Sequence, residues 1–144
     1  MLTHHEQYAI DDDLSRVDFA TVHGWLTDTY WSPCVTRELV ERAARYSAIV
    51  IGVYHDGVQV GYARVVSDTV RFAYLADVYV AEAYRGQGIG RAIVRFAQAH
   101  PLIAEVPHVT LKTLDAQMVY AAEGFEPIAD PENWMRWMRK PGAC

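Results

Sequence analysis

Arg85-Gly86-Gln87-Gly88-Ile89-Gly90 holds the residues of this chain best suited to binding a phosphate. Glycines let backbone N–H groups come close to an anion, because no Cβ stands in the way. Where such a turn opens a helix, the unpaired N–H groups and the positive end of the helix dipole strengthen the attraction. Arg85 and Arg91 add positive charge at the two rims. The flanks agree with this reading. Residues 72–80 are rich in β-branched and aromatic side chains and predict a strand, while residues 91–100 carry apolar groups at helical spacing.

Two familiar phosphate loops fail on these residues. A P-loop requires Gly-Lys-Ser/Thr, and no such triplet follows the glycines. A dinucleotide fingerprint would start at Gly88 and Gly90, but Ile93 stands where the third glycine belongs. The pattern that remains is Arg85-x-x-Gly88-x-Gly90 preceded by Val78-Tyr79-Val80, and it resembles the acetyl-CoA loop of the GNAT superfamily of N-acetyltransferases. Further along, Ala116-Gln117-Met118-Val119-Tyr120-Ala121-Ala122-Glu123-Gly124-Phe125 is similar to that family's Ala-x-x-x-Tyr-x-x-x-Gly-Phe segment. Asp115 is a good N-cap for this short helix, and Gly124 suits its left-handed end.

The resemblance covers nearly the whole chain and implies acetyl transfer from acetyl-CoA to a primary amine of a small molecule or peptide. It implies that pantetheine lies along Val78, Tyr79 and Val80, contacting backbone, with an N–H of Tyr79 or Val80 near the thioester oxygen. The pyrophosphate would meet Arg85, Gly86, Gln87, Gly88, Ile89, Gly90 and Arg91. Tyr120 matches the family's general acid, whose phenol stays protonated near neutrality. Asp77, just before the pantetheine strand, is the candidate base; a structural bond to Arg64 explains it equally well. Asp115 and His23 are weaker candidates. Thr113 stands where relatives often have asparagine, so only a hydroxyl contact to the cofactor is expected there. Tyr30, Trp31 and Pro33 would wall the acceptor site, with Tyr62, Phe72 and Tyr74 on the central strands. Such aromatic groups favour a cationic acceptor. A non-catalytic acyl-CoA-binding module would keep the loop without needing Tyr120.

The elements that must position these residues follow from caps, turns and periodicity. Residues 8–10 predict a first strand, and Asp11-Asp12-Asp13 a turn. Asp18 caps a helix to about Thr27, and Thr36 opens another to about Tyr46. Residues 47–54 and 58–66 read as strands joined at His55-Asp56-Gly57. Residues 109–113, 125–128 and 134–139 are the last expected strands. The order is β-α-α-β-β-β-α-β-α-β-β, a mixed α/β sheet of the GNAT kind and not a doubly wound alternation. One domain over residues 1–144 is expected.

Composition narrows the classes. A net charge of −5 without a basic run argues against nucleic-acid binding. Although 51% of residues are hydrophobic, no apolar run approaches the roughly 18 residues of a membrane span. The amino-terminal residues lack a basic and apolar leader, so a cytoplasmic protein is expected. Cys34 and Cys144 are far apart, which predicts no structural disulfide; no metal is expected, and His4-His5 should sit in solvent. The alternating Trp134-Met135-Arg136-Trp137-Met138-Arg139 run predicts an exposed edge strand rich in Trp and Met, and because members of the family it resembles often pair through their last strands, a homodimer is expected.

Overall fold

The computed structural model describes residues 1–140. Its sheet has six strands in sequence order: β1 (Leu2–His5), β2 (Tyr8–Asp11), β3 (Ile49–His55), β4 (Val58–Ser67), β5 (Phe72–Val80) and β6 (His108–Thr110). All neighbours run antiparallel except β5 and β6, which are parallel. A parallel pair needs a crossover, and α3 (Ile89–Ala99) supplies it.

Local chemistry accounts for most element boundaries. Asp18 accepts the Thr21 N–H at the start of α1 (Phe19–Leu26), and Thr36 accepts the Leu39 N–H at the start of α2 (Arg37–Arg45). Between β3 and β4, Asp56 and Gly57 both take left-handed φ values, 49° and 78°. That matches the twist of the flanking strands.

Each sheet face has its own helix layer. Ile93, Val94 and Phe96 of α3 are buried against Ile51, Val60 and Leu75. On the other face Val22 and Leu26 of α1 and Val40 of α2 are buried with Val50 and Tyr62. Each aliphatic side chain fully buried in this way contributes ~1.5–3 kcal/mol. The α3 layer carries the glycine loop at its start, and the α1–α2 layer leaves its connecting loop over β5.

Four expectations need correction. The chain begins with a hairpin, because β1 pairs with β2 ahead of the expected first strand. His4 is exposed, but His5 is half-buried and hydrogen-bonded. Residues 125–128 and 134–139 are not strands, so the sheet ends at β6 among the described residues. Strand propensity is realised only beside a partner ladder. Pro127 lacks a donor for one, and a short 3-10 turn at Pro131–Asn133 intervenes. Finally, Cys34 is disulfide-bonded, against expectation; Cys144 lies outside the described residues.

Candidate active site

A bulge in β5 creates the site. Tyr62 pairs with Tyr79 and Arg64 with Ala76, so β5 holds one residue more than β4 between the same two pairings. Asp77 sits in the bulge with φ at 55°. The extra residue reverses the alternation of side chains along the strand. Leu75 before it, and Val78 and Val80 after it, all pack on the α3 side. Asp77 turns to the opposite face, as expected from its position beside Val78.

There Asp77 accepts two hydrogen bonds. Arg64 Nε donates to Oδ2 at 2.6 Å and the Trp31 indole donates to Oδ1 at 3.0 Å. Trp31 lies in the loop between α1 and α2, and its ring meets Tyr30 edge-on with centroids 5.0 Å apart. The Tyr30 hydroxyl in turn accepts the Leu114 N–H at 3.0 Å. Two adjacent loop residues thus tie the loop to the bulge and to the segment before α4 (Gln117–Ala121). Tyr79 stacks on Trp25 of α1, centroids 5.1 Å apart and planes 20° from parallel.

Beyond the bulge β5 parts from β6. Their pairing covers only Phe72–Tyr74 against His108–Thr110, and no described strand pairs with the far edge of Val78–Val80. The Ala81 N–H bonds the Val60 carbonyl at 2.8 Å, on the β4 side. By alternation the Val80 N–H faces the gap. This favours Val80 over Tyr79 as the donor to an oxygen lying there. The Val80 carbonyl is taken by Arg85 Nε at 2.9 Å.

The glycine loop follows. Gly86 and Gly88 both have φ at 78°, a region that side chains rarely adopt. Gly88 is the N-cap of α3, and the first intrahelical bond runs from the Ala92 N–H to the Gly88 carbonyl. The N–H groups of Ile89, Gly90 and Arg91 are therefore left at the helix end, where an anion is favoured. The two rim arginines have protein partners. Arg85 lies over the Tyr79 ring at 5.2 Å, and Arg91 Nε bonds Glu123 at 2.6 Å. A phosphate here would be met chiefly by backbone groups, and the loop fits the pyrophosphate of acetyl-CoA on that ground.

Tyr120 completes the arrangement. It is partly buried on α4, packed on the same core as Val78 and Val80, and its ring meets Phe125 edge-on. Burial, with Tyr30 and Asp115 nearby, pushes its hydroxyl above the usual tyrosine value of 10. The helix ends in a Schellman turn: Gly124 has φ at 89°, and the Phe125 N–H bonds the Tyr120 carbonyl. Glu123 ties this end to α3 through Arg91, Arg95 and Gln98. At the other end Thr113 Oγ1, not the Asp115 carboxylate, accepts the Ala116 N–H at 3.0 Å. Thr113 thus braces the turn ahead of α4, and its O–H can still donate.

The structure brings Tyr30, Trp31 and Asp77 together, adds Arg64, and sets Tyr120 close to Tyr30. Tyr62 is fully buried beneath them, and its hydroxyl has no partner. Burial, and then the Asp77 charge, raises its pKa far above the usual value. Phe72 and Tyr74 are exposed on β5 before the bulge, in the stretch paired with β6. His23 instead bonds the Val35 carbonyl.

A family model described as an acetyltransferase (GNAT) domain matches residues 46–127. The chain belongs to this GNAT acetyltransferase family. A Xanthomonas campestris pv. campestris protein described as a GNAT-family acetyltransferase superposes with a TM-score of 0.88 at 35% identity, covering 96% of both chains. An Arabidopsis thaliana glucosamine-6-phosphate N-acetyltransferase shares the fold at 18% identity and a TM-score of 0.64, over 93% of this chain and 97% of that one. Thialysine N-epsilon-acetyltransferase of Bos taurus is 35% identical over 68 residues, which are 44% of this chain. The match spans 40% of the bovine protein, well under half its length. The matched GNAT region contains the bulge, the glycine loop and Tyr120 together.

Proposed function

We propose that this GNAT protein transfers an acetyl group from acetyl-CoA directly to a primary amine of a small molecule or peptide. The observation that carries this reading is Tyr120, a half-buried phenol held protonated on the same core as the open edge of β5. A module that only bound acyl-CoA would need the loop and the edge but no such hydroxyl. Acetyl-CoA supplies the activated acetyl thioester and leaves with its sulfur as a thiolate. Tyr120 holds the proton that the thiolate needs. The Val80 N–H is the donor to the oxygen on which charge develops. Residues 86–91 hold the pyrophosphate through backbone groups, so the thioester is fixed along β5.

The acceptor enters beside Tyr30 and Trp31. Asp77 lies beneath them as a carboxylate that an ammonium group can reach when the Trp31 indole yields its hydrogen bond. It then draws in the amine and takes its proton directly or through water. The name of the bovine relative, which acetylates an amino-acid side-chain amine, supports an acceptor of this class. The exposed Trp134, Met135, Trp137 and Met138 support a homodimer, and a monomeric mass at micromolar concentration would contradict it.

Thiol release from acetyl-CoA across a panel of primary amines tests this function. Amine-dependent release with matching N-acetylated product is expected. Binding of acetyl-CoA without release on any amine would favour the binding module.

A further inference from the structure

The glycine loop rests on the amino-terminal hairpin, which the acetyl-transfer chemistry does not otherwise use. His5 Nε2 lies 2.8 Å from the Gln87 carbonyl, and the Tyr8 hydroxyl donates to Gln87 Oε1 at 2.5 Å. Because a carbonyl only accepts, His5 must carry its proton on Nε2. Gln87 thus turns its main-chain carbonyl and its side-chain Oε1 toward the hairpin. The peptide joining Gln87 to Gly88 is planar and trans, so its N–H points opposite to its C=O. Holding the Gln87 oxygen toward His5 therefore aims the Gly88 N–H outward.

Aromatic packing fixes the same contact. The His5 ring stacks on Tyr8 with planes 16° apart, and Tyr8 meets Tyr84 edge-on at 6.1 Å and His55 at 5.4 Å. Tyr84 immediately precedes the loop, so the cluster grips the loop at its entry as well as at Gln87. Tyr8 is 1% exposed and cannot turn away without opening the core. A Cβ on Gly88 would stand 3.2 Å from His5 Nε2, which shows how closely the ring lies under the turn.

We infer that His5 is a positioning residue for the pyrophosphate: with Tyr8 it orients the Gln87–Gly88 peptide so that its N–H faces the phosphates of the acyl donor. This rests on the acetyl-CoA reading above. It predicts an effect on donors that carry the pyrophosphate and none on donors that lack it.

Two donors separate this from simple packing. S-Acetylpantetheine keeps the thioester and lacks the nucleotide and its pyrophosphate. In His5→Leu, kcat/KM for acetyl-CoA should fall roughly 5- to 10-fold, the scale of one net hydrogen bond, with kcat unchanged. With S-acetylpantetheine, kcat/KM should not change. His5→Gln keeps a donor for the carbonyl and should recover acetyl-CoA use to within about twofold. Tyr8→Phe, which loses only the hydroxyl, should repeat the split between donors in weaker form. Equal losses on both donors together with a lower Tm would overturn the inference and make His5 a packing residue. So would unchanged kinetics in both His5→Leu and Tyr8→Phe. A wild-type protein inert toward acetyl-CoA would instead remove the acetyl-transfer reading itself.

Discussion

The Trp31 indole donates to Asp77 Oδ1 at 3.0 Å, joining the α1–α2 loop to the β5 bulge. Asp77 also bonds Arg64, so one carboxylate holds both the wall and the floor of the proposed acceptor site. Trp31→Phe keeps a ring and removes the donor. The wall then loosens while the glycine loop is untouched. KM for the amine should rise roughly 3- to 10-fold with acetyl-CoA affinity unchanged, as steady-state kinetics on both substrates would reveal. Arg64→Leu removes the other partner. The pair is mostly buried, at 20% and 14% side-chain exposure, so stability should drop by ~1–3 kcal/mol in urea unfolding.

The loop glycines should separate by role. Gly88 needs its left-handed φ, and a Cβ there would press on His5. Gly88→Val should weaken acetyl-CoA binding strongly and also cost ~1–2 kcal/mol of stability from backbone strain, with the protein still folded. Gly90 has ordinary φ, and its nearest neighbour to an added Cβ is Val119 at 3.8 Å. Gly90→Ala should therefore leave Tm unchanged and weaken acetyl-CoA binding alone. Calorimetric titration of both variants checks this; full affinity in Gly90→Ala would move the pyrophosphate away from the helix end.

Much of this was legible in the sequence because the signals are local. Asp18 and Thr36 sit directly before the helices they cap, and Asp56-Gly57 has the backbone its turn requires. The phosphate loop and Tyr120 segment were recognisable for the same reason. What escaped depends on distant partners. His5 looked like one of two solvent histidines because its partner, Gln87, lies far along the chain. Thr113 showed no sign in the sequence of the second bond it makes, accepting the Ala116 N–H. The run from Trp134 alternates like a strand, but no ladder lies beside it. The resemblance implied a bulge near Val78–Val80 and alternation set Asp77 opposite Val78, but nothing local placed the extra residue at Asp77 itself.

Glu123 should make α4 sensitive to acid. Hydrogen bonds from Arg95, then Arg91, hold its carboxyl below the usual value of 4.5. A lowered folded-state pKa adds stability that is present above the unfolded value and is lost as pH falls through the folded one. Glu123→Gln should thus melt below the wild type at pH 7. The gap should close as pH drops below about 4.5. A gap independent of pH would mean that packing, and not charge, holds this end of α4.

The central claim is that the Tyr120 hydroxyl supplies a proton, and Tyr120→Phe tests it most directly. The ring and its packing on Phe125 remain, and only the hydroxyl is lost. Single-turnover thiol release should slow by roughly 10²-fold or more, with acetyl-CoA affinity and Tm unchanged. The wild-type rate should decline at high pH with a midpoint above 10, since burial raises this phenol, and the variant should lack that limb. Full single-turnover rate in Tyr120→Phe, with the alkaline limb intact, would contradict the account and leave Tyr120 as a packing residue.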